Sequence, residues 1–119
     1  MAFRAWIAAQ RHMGFEMDPR ELTDDEAQTL KKITNWWKNE RDWMMSADIL
    51  RLDSPDETVL AEMHLSSDEK QFVAFANKID SSPQIAPRPL RLTALEPDSM
   101  YHISLVNKDE VHHLSLIHI

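Results

Sequence analysis

The chain has 119 residues, with 13 Lys and Arg against 20 Asp and Glu, no Cys and a single Gly. This length fits one small domain or parts of two, and the net charge of −7 argues against a nucleic-acid partner because like charges would have to meet. The lack of Cys excludes disulfides and thiolate metal sites, and one Gly excludes glycine-rich phosphate loops. No apolar run approaches the roughly 18 residues of a membrane span. We therefore expect a cytoplasmic chain with no membrane or nucleic-acid partner.

The first segment of the chain has helical periodicity. Apolar residues recur at helix spacing from Phe3 onward, which predicts a short helix over residues 2–11. Residues 13–17 (MGFEM) form a brief apolar stretch that Pro19 closes, because proline cannot donate to a strand ladder. This stretch predicts a short buried strand.

A second helix begins with a recognisable start signal. Thr23 and Glu26 have the spacing of a capping box, in which each side chain accepts a hydrogen bond from the backbone of the other residue. The helix is predicted to run to about Ser46. Its apolar stripe needs a large partner surface and contains Leu30, Ile33, Trp37 and Met44.

After residue 46 the hydrophobic period shortens to two and most of the net negative charge follows. Five strands are predicted, over residues 49–52, 58–65, 71–76, 90–95 and 101–106. The separators carry Pro, Asp and Ser in the pattern of type I turns, which need no positive φ and so explain the scarcity of Gly. Short strands at this spacing predict an antiparallel sandwich or sheet.

The two halves suggest different domains. Residues 1–46 contain one predicted strand, and a lone strand needs neighbours. We therefore interpret residues 1–46 as the end of a larger α/β domain and residues 47–113 as an antiparallel β domain. Residues 114–119 (LSLIHI) read like translated adapter sequence and are predicted to be a non-native tail, with an edge strand as the alternative.

Two segments resemble bacterial α-galactosidases of glycoside hydrolase family 36. Residues 12–20 read HMGFEMDPR, similar to the family's "GHxGxExDP" segment, and the capped helix and the strand near Leu50 follow in the family's order. Residues 86–101 read APRPLRLTALEPDSMY, similar to the family's "PLRLxGLDPxxxY" run. Ala94 stands where that run has Gly, which is tolerable if the turn does not need positive φ.

The resemblance implies a fold class and an activity. The chain would be an α+β fragment containing the last strand and helix of a (β/α)8 barrel, followed by a truncated C-terminal antiparallel β-sandwich. The parent enzyme would hydrolyse terminal α-galactosides with retention, without a cofactor or metal, as a homo-oligomer. Its two catalytic Asp residues would lie on earlier barrel strands, so this chain alone is predicted to be inactive.

Only weak site candidates lie within the chain. Glu16 and Asp18 would follow a barrel strand, at the face where such barrels place active sites, and could bond a sugar-contacting residue. The competing interpretation is a satisfied acid at Glu16 and a turn beginning at Asp18. The helical spacing of Trp36, Trp37 and Trp43 favours packing in the core over stacking on sugar rings.

The histidines do not predict a metal site. His112 and His113 are adjacent, so on a strand they would point to opposite faces, and His64 and His102 are distant in sequence. A different class of function also remains open at this point. The chain could instead be a stand-alone carbohydrate-binding or protein-interaction module, with a helix packed on a small β sheet.

Overall fold

A computed structural model describes residues 2–81 and 88–106 and the backbone of Leu114–Ser115. The chain divides into two compact units. One comprises Met1–Arg51 with Ala61–Asn77, and the other comprises Leu52–Leu60 with Lys78–Ile119. The first unit therefore combines the helical segment with most of the residues of three strands. None of the helices in the described ranges is both long and apolar enough to cross a membrane.

Two α-helices form the helical part of the first unit. Helix α1 spans Ala2–Ala9, and helix α2 spans Asp24–Met44. The predicted capping box is confirmed: the Glu26 backbone N–H donates to the Thr23 hydroxyl at 3.2 Å, and the Thr23 backbone N–H donates to the Glu26 carboxylate at 3.0 Å. Both helices end about two residues earlier than their patterns predict.

The two helices pack on each other through small and branched residues. Ala5 and Ala9 of α1 are buried against Leu30 and Ile33 of α2. Half-buried side chains surround this cluster, namely Trp6, Met13, Leu22, Trp36 and Trp37. The small alanines let the helix axes approach closely, so the tryptophans pack around the contact rather than within it.

The predicted strand over residues 13–17 is wrong. This segment is irregular, and Phe15 and Met17 are 46% and 41% exposed. An apolar run forms a strand only if another strand offers hydrogen-bonding partners, and no described strand lies beside it. A short 3-10 helix, Pro19–Glu21, follows.

Three strands form one antiparallel sheet in the order β1-β2-β3. They span Asp48–Leu52, Val59–Leu65 and Phe72–Lys78, close to three of the predicted strands. The Ser66 N–H donates to the Gln71 carbonyl, and the Ile79 N–H donates to the Thr58 carbonyl. These bonds bracket the pairing of β2 with β3.

The two remaining predicted strands differ from the structure. Residues 90–95 do not form a strand: Leu90 and Leu92 are half-buried, but the backbone bends at Ala94 and Leu95. The last predicted strand shrinks to β4, His102–Ile103, which pairs antiparallel with β5, Leu114–Ser115. Much of the predicted loop over residues 78–89 lies outside the described residues, as do His112 and His113.

Two turns use the left-handed backbone region without glycine. Glu69 has φ 59° and Ala94 has φ 60°. The prediction of turns without positive φ is therefore wrong at these two positions, and the condition under which alanine could replace the family glycine, a turn that needs no positive φ, is not met at Ala94. For an L-residue this conformation costs roughly 1–2 kcal/mol, since Cβ crowds the following carbonyl.

Candidate functional site

The most connected polar cluster in the first unit joins Arg11, Glu62 and His64. Arg11 follows the end of α1, whereas Glu62 and His64 lie two residues apart on β2 and so share one face of the sheet. The Arg11 guanidinium donates to both Glu62 carboxylate oxygens, at 2.6 and 3.0 Å. This fork geometry is the strongest form of a protein ion pair.

His64 completes the cluster from a buried position. Its side chain is 2% exposed, and its Nε2 lies 3.0 Å from Glu62 Oε1 and 3.1 Å from Arg11 Nη1. A proton on Nε2 donates to the carboxylate and leaves Nδ1 as an acceptor. Nδ1 is buried and has no hydrogen-bond partner among the described residues, and an unpaired lone pair costs less there than an unpaired N–H. The carboxylate contact and the unpartnered Nδ1 favour a proton on Nε2, whereas the Arg11 Nη1 donor, 3.1 Å from Nε2, favours the other tautomer.

The ion pair shifts both charged partners toward their ionised forms. The hydrogen bond from Arg11 lowers the pKa of Glu62, and burial opposes this shift only in part. The same hydrogen bond raises the pKa of Arg11. The Arg11 side chain is 53% exposed and Glu62 is 21% exposed, so solvent screens their attraction. The cluster is consequently a modest link between α1 and β2.

A cleft of about 180 Å³ adjoins this cluster within the same unit. The segment that follows α1, the last turns of α2, the residues after α2 and the strands β1 and β2 all contribute to its wall. Its lining residues are Gln10, Arg11, His12, Trp37, Arg41, Met44, Met45, Ala47, Ile49 and His64. Among the described residues that line the cleft there is no carboxylate, although the whole chain carries a net charge of −7.

Trp37 and Arg41 are held in place on one wall of the cleft. The Trp37 indole N–H donates to the Arg11 carbonyl at 3.3 Å. The Arg41 guanidinium lies over the Trp37 ring, 5.1 Å from its centroid, in a cation–π contact. Arg41 forms no ion pair among the described side chains, so no carboxylate there neutralises its charge.

The two residues singled out from sequence lie elsewhere. Glu16 is an exposed residue of the irregular segment. Asp18 caps the 3-10 helix by accepting from the Arg20 backbone N–H, and it pairs with the Arg20 guanidinium at 2.6 Å. That pairing lowers the pKa of Asp18. Neither residue lines the cleft, and their role in sugar binding stays a prediction.

The tryptophans are half-buried rather than fully enclosed. Trp36 makes edge-to-face contacts with Trp6 and Phe75, with ring centroids 5.3 and 6.2 Å apart. The Trp43 indole N–H donates to Glu40 at 2.6 Å. Packing thus occupies Trp36 as predicted, whereas Trp37 also has a face toward the cleft. Among the described residues no group of three His, Asp or Glu side chains is arranged to hold a metal ion.

Sequence reasoning did not identify the Arg11 cluster or the cleft. One signal was present in β2, where Glu62 and His64 alternate with the buried Ala61, Met63 and Leu65. Polar residues on one face of a strand usually face water, and only the burial of His64 shows that this face is covered. The partner that covers it, Arg11, is 53 residues away in sequence.

A comparison with known proteins yields one informative relative. The chain is 23% identical over 111 residues to the alpha-galactosidase of Escherichia coli. The match covers 93% of this chain but 16% of the relative, so the chain spans about one sixth of the relative's length. No family model and no solved structure matches this chain. The resemblance inferred from its motifs is confirmed: over nearly its whole length the chain is similar to part of an alpha-galactosidase.

Proposed function

We propose that the chain is the C-terminal part of a retaining α-galactosidase that removes terminal α-D-galactosyl residues from oligosaccharides. The observation that carries this proposal is the match to alpha-galactosidase, which spans 93% of the chain and a small share of the relative. In this assignment residues 1–46 close a (β/α)8 barrel and residues 47–113 belong to the β domain that follows it. The whole enzyme would be cytoplasmic and homo-oligomeric.

Exposed apolar side chains support this assignment. Phe3 and Ile7 are one helical turn apart on α1 and are 54% and 42% exposed. In the segment after α1, Phe15 and Met17 are also exposed. Residues 13–17 have the composition of a buried strand but no neighbouring strand among the described residues. The exposed side chains of α1 and this segment would therefore both be covered if further protein surface packed on them. The rest of a barrel would supply it.

The chemistry of a retaining glycosidase explains why this part alone would be inactive. Such enzymes need two carboxyl groups about 5–5.5 Å apart, one as nucleophile and one as acid/base. Asp18 is engaged by Arg20, and the cleft in the first unit has no carboxylate in its lining. As the resemblance to family 36 implies, we assign the catalytic Asp pair to barrel strands upstream of the matched segment.

The experiment is a hydrolysis assay on 4-nitrophenyl α-D-galactoside. The chain is tested alone and joined to the upstream part of its own reading frame. We expect hydrolysis only from the joined protein, with the first-formed galactose in the α configuration because the mechanism retains stereochemistry. A joined protein that folds but does not cleave any α-galactoside or α-N-acetylgalactosaminide would overturn the assignment.

The second candidate is a stand-alone carbohydrate-binding or protein-interaction module. The cleft beside Trp37 favours it, since an aromatic wall in a polar cleft suits a small ligand. A module of this kind would unfold cooperatively as a monomer and bind no hydrophobic dye, whereas a barrel fragment would bind the dye through Phe3 and Ile7. Titration of the isolated chain with melibiose distinguishes a carbohydrate-binding module from a barrel fragment. We expect the fragment not to bind melibiose, because it lacks the catalytic pocket.

A further inference from the structure

We propose that the cleft formed by the segment after α1, by α2 and by β1 and β2 binds the carboxylate of a small organic acid, with Arg41 as the principal anion-binding group. The described residues that line the cleft include two arginines and two histidines and no acid, in a chain with a net charge of −7. Acidic side chains are the commonest way to neutralise an arginine. Because the lining has none among its described residues, the local electrostatic potential is positive, and a bound anion would neutralise it.

The two arginines have different roles. Arg11 is already bonded to both oxygens of Glu62, so its charge is compensated and it serves as a fixed wall. Arg41 has no carboxylate partner among the described residues and lies over Trp37. Stacking orders the guanidinium plane in advance, which lowers the cost of ordering it when an anion arrives.

The remaining walls define the shape of the ligand. A guanidinium binds a planar carboxylate through two parallel hydrogen bonds. Trp37, Met44 and Ile49 offer apolar surface beside it, so the carboxylate should be carried on a short carbon skeleton. The volume of about 180 Å³ is below the roughly 300 Å³ at which pockets for drug-sized ligands begin, which limits the ligand to a few heavy atoms.

The test uses sodium propionate as the probe and the full chain as the protein. Trp37 is a cleft residue with an indole N–H, and Trp43 does not line the cleft, so the two indole NMR resonances give a reporter and an internal reference. We expect propionate to shift the Trp37 resonance saturably, with a Kd on the order of 1 mM, and to leave Trp43 unchanged. Propionamide, which has the same shape without the charge, should produce no shift.

Variants on α2 separate a site from general electrostatics. Arg41→Gln should weaken propionate binding by about tenfold or more, and Arg41→Lys should weaken it less. Lys38→Gln removes the same charge from the same helix outside the cleft, and it should change the Kd by less than about twofold because exposed charges are screened. The exposed positions of Lys38 and Arg41 make these variants safe for folding.

Three results would overturn the proposal. Equal shifts with propionamide would show an apolar cleft, and equal Kd values for Arg41→Gln and Lys38→Gln would show that Arg41 only complements the carboxyl end of α2. If inorganic phosphate bound more tightly than propionate, the ligand of the cleft would be free phosphate and not an organic acid. Because none of these titrations uses an α-galactoside, their failure is distinguishable from failure of the glycosidase assignment.

Discussion

Arg11 and Glu62, 51 residues apart in sequence, form a two-pronged ion pair with N–O distances of 2.6 and 3.0 Å. The pair links the end of α1 to the middle strand of the sheet. His64, nearly fully buried, contacts both partners. Among the described residues, the helical and β segments of the first unit are thus linked by this polar cluster and by the Gln10–Asn77 hydrogen bond, in addition to apolar packing.

Glu62→Gln tests this contact and its pH dependence. The ordinary pKa of Glu is near 4.5 and that of Glu62 is lowered in the folded chain, so its stabilisation is complete above that value and disappears as pH falls through the lower folded pKa. We expect the variant to lose about 1 kcal/mol of unfolding free energy at pH 7, a value reduced for solvent exposure. Urea unfolding at pH 7 and pH 3 measures it.

The control for that measurement is Glu57→Gln, an exposed acid in the turn before β2. It should leave stability nearly unchanged at both pH values. If the difference between wild type and Glu62→Gln were the same at pH 3 as at pH 7, the ion pair would not be its cause. A double-mutant cycle with Arg11→Gln should give a coupling free energy of about 1 kcal/mol.

Ala94→Gly should stabilise the chain. Ala94 has φ 60°, a conformation that glycine adopts without steric cost. The relief exceeds the entropy that glycine adds to the unfolded state, so we expect a gain of about 1 kcal/mol in thermal or urea unfolding. Ala74→Gly, at an exposed position of β3 without positive φ, is the matched control and should destabilise by roughly 0.5–1 kcal/mol. Destabilisation by both substitutions would show that the left-handed turn is not formed.

Thr23→Ala should remove the capping box at the start of α2. The Glu26 N–H loses its acceptor, and substitution of such caps costs about 1 kcal/mol. Thr29→Ala, inside the same helix, should be neutral or slightly stabilising because alanine has the higher helix propensity. Helical circular dichroism during urea unfolding measures both. A loss in Thr29→Ala equal to that in Thr23→Ala would argue against a specific cap.

Phe3→Ser combined with Ile7→Ser should reduce binding of a hydrophobic dye to the chain without lowering its stability. Both side chains are exposed on α1. Their replacement by serine therefore reduces the solvent-exposed apolar surface but leaves the Ala5 and Ala9 contacts intact. Dye fluorescence and urea unfolding are the two readouts. Marked destabilisation with unchanged dye binding would mean that these residues pack inside the chain and do not form an uncovered face.

Local signals were the predictable part of the fold. The capping box and the 21-residue helix α2 follow from contacts within a few positions, and the alternation in β1 to β3 follows from period two. The strands predicted over residues 13–17 and 90–95 were wrong for a shared reason. An apolar pattern indicates which residues could be buried, but not whether a partner strand is present. The φ of Ala94 was left open, because the family glycine indicates a turn that could need positive φ whereas alanine gives no signal for it.

The candidate site was beyond sequence reasoning because its parts are remote from one another. Arg11, Trp37 and His64 come from three elements, and their meeting depends on how α1 packs on α2 and on β2. The resemblance to alpha-galactosidase did not point to them either, since its motif residues Glu16 and Asp18 lie outside the cleft. Only tertiary packing brings these side chains together.

The central claim, that the chain is the tail of an α-galactosidase, is tested most directly by reading the source DNA outward from both ends of the frame. We expect the frame to continue upstream through several strand–helix units with two Asp residues at strand ends, and residues 114–119 to be replaced by other sequence. A stop codon and ribosome-binding site immediately before Met1, together with persistence of residues 114–119, would contradict the claim and favour a small binding module.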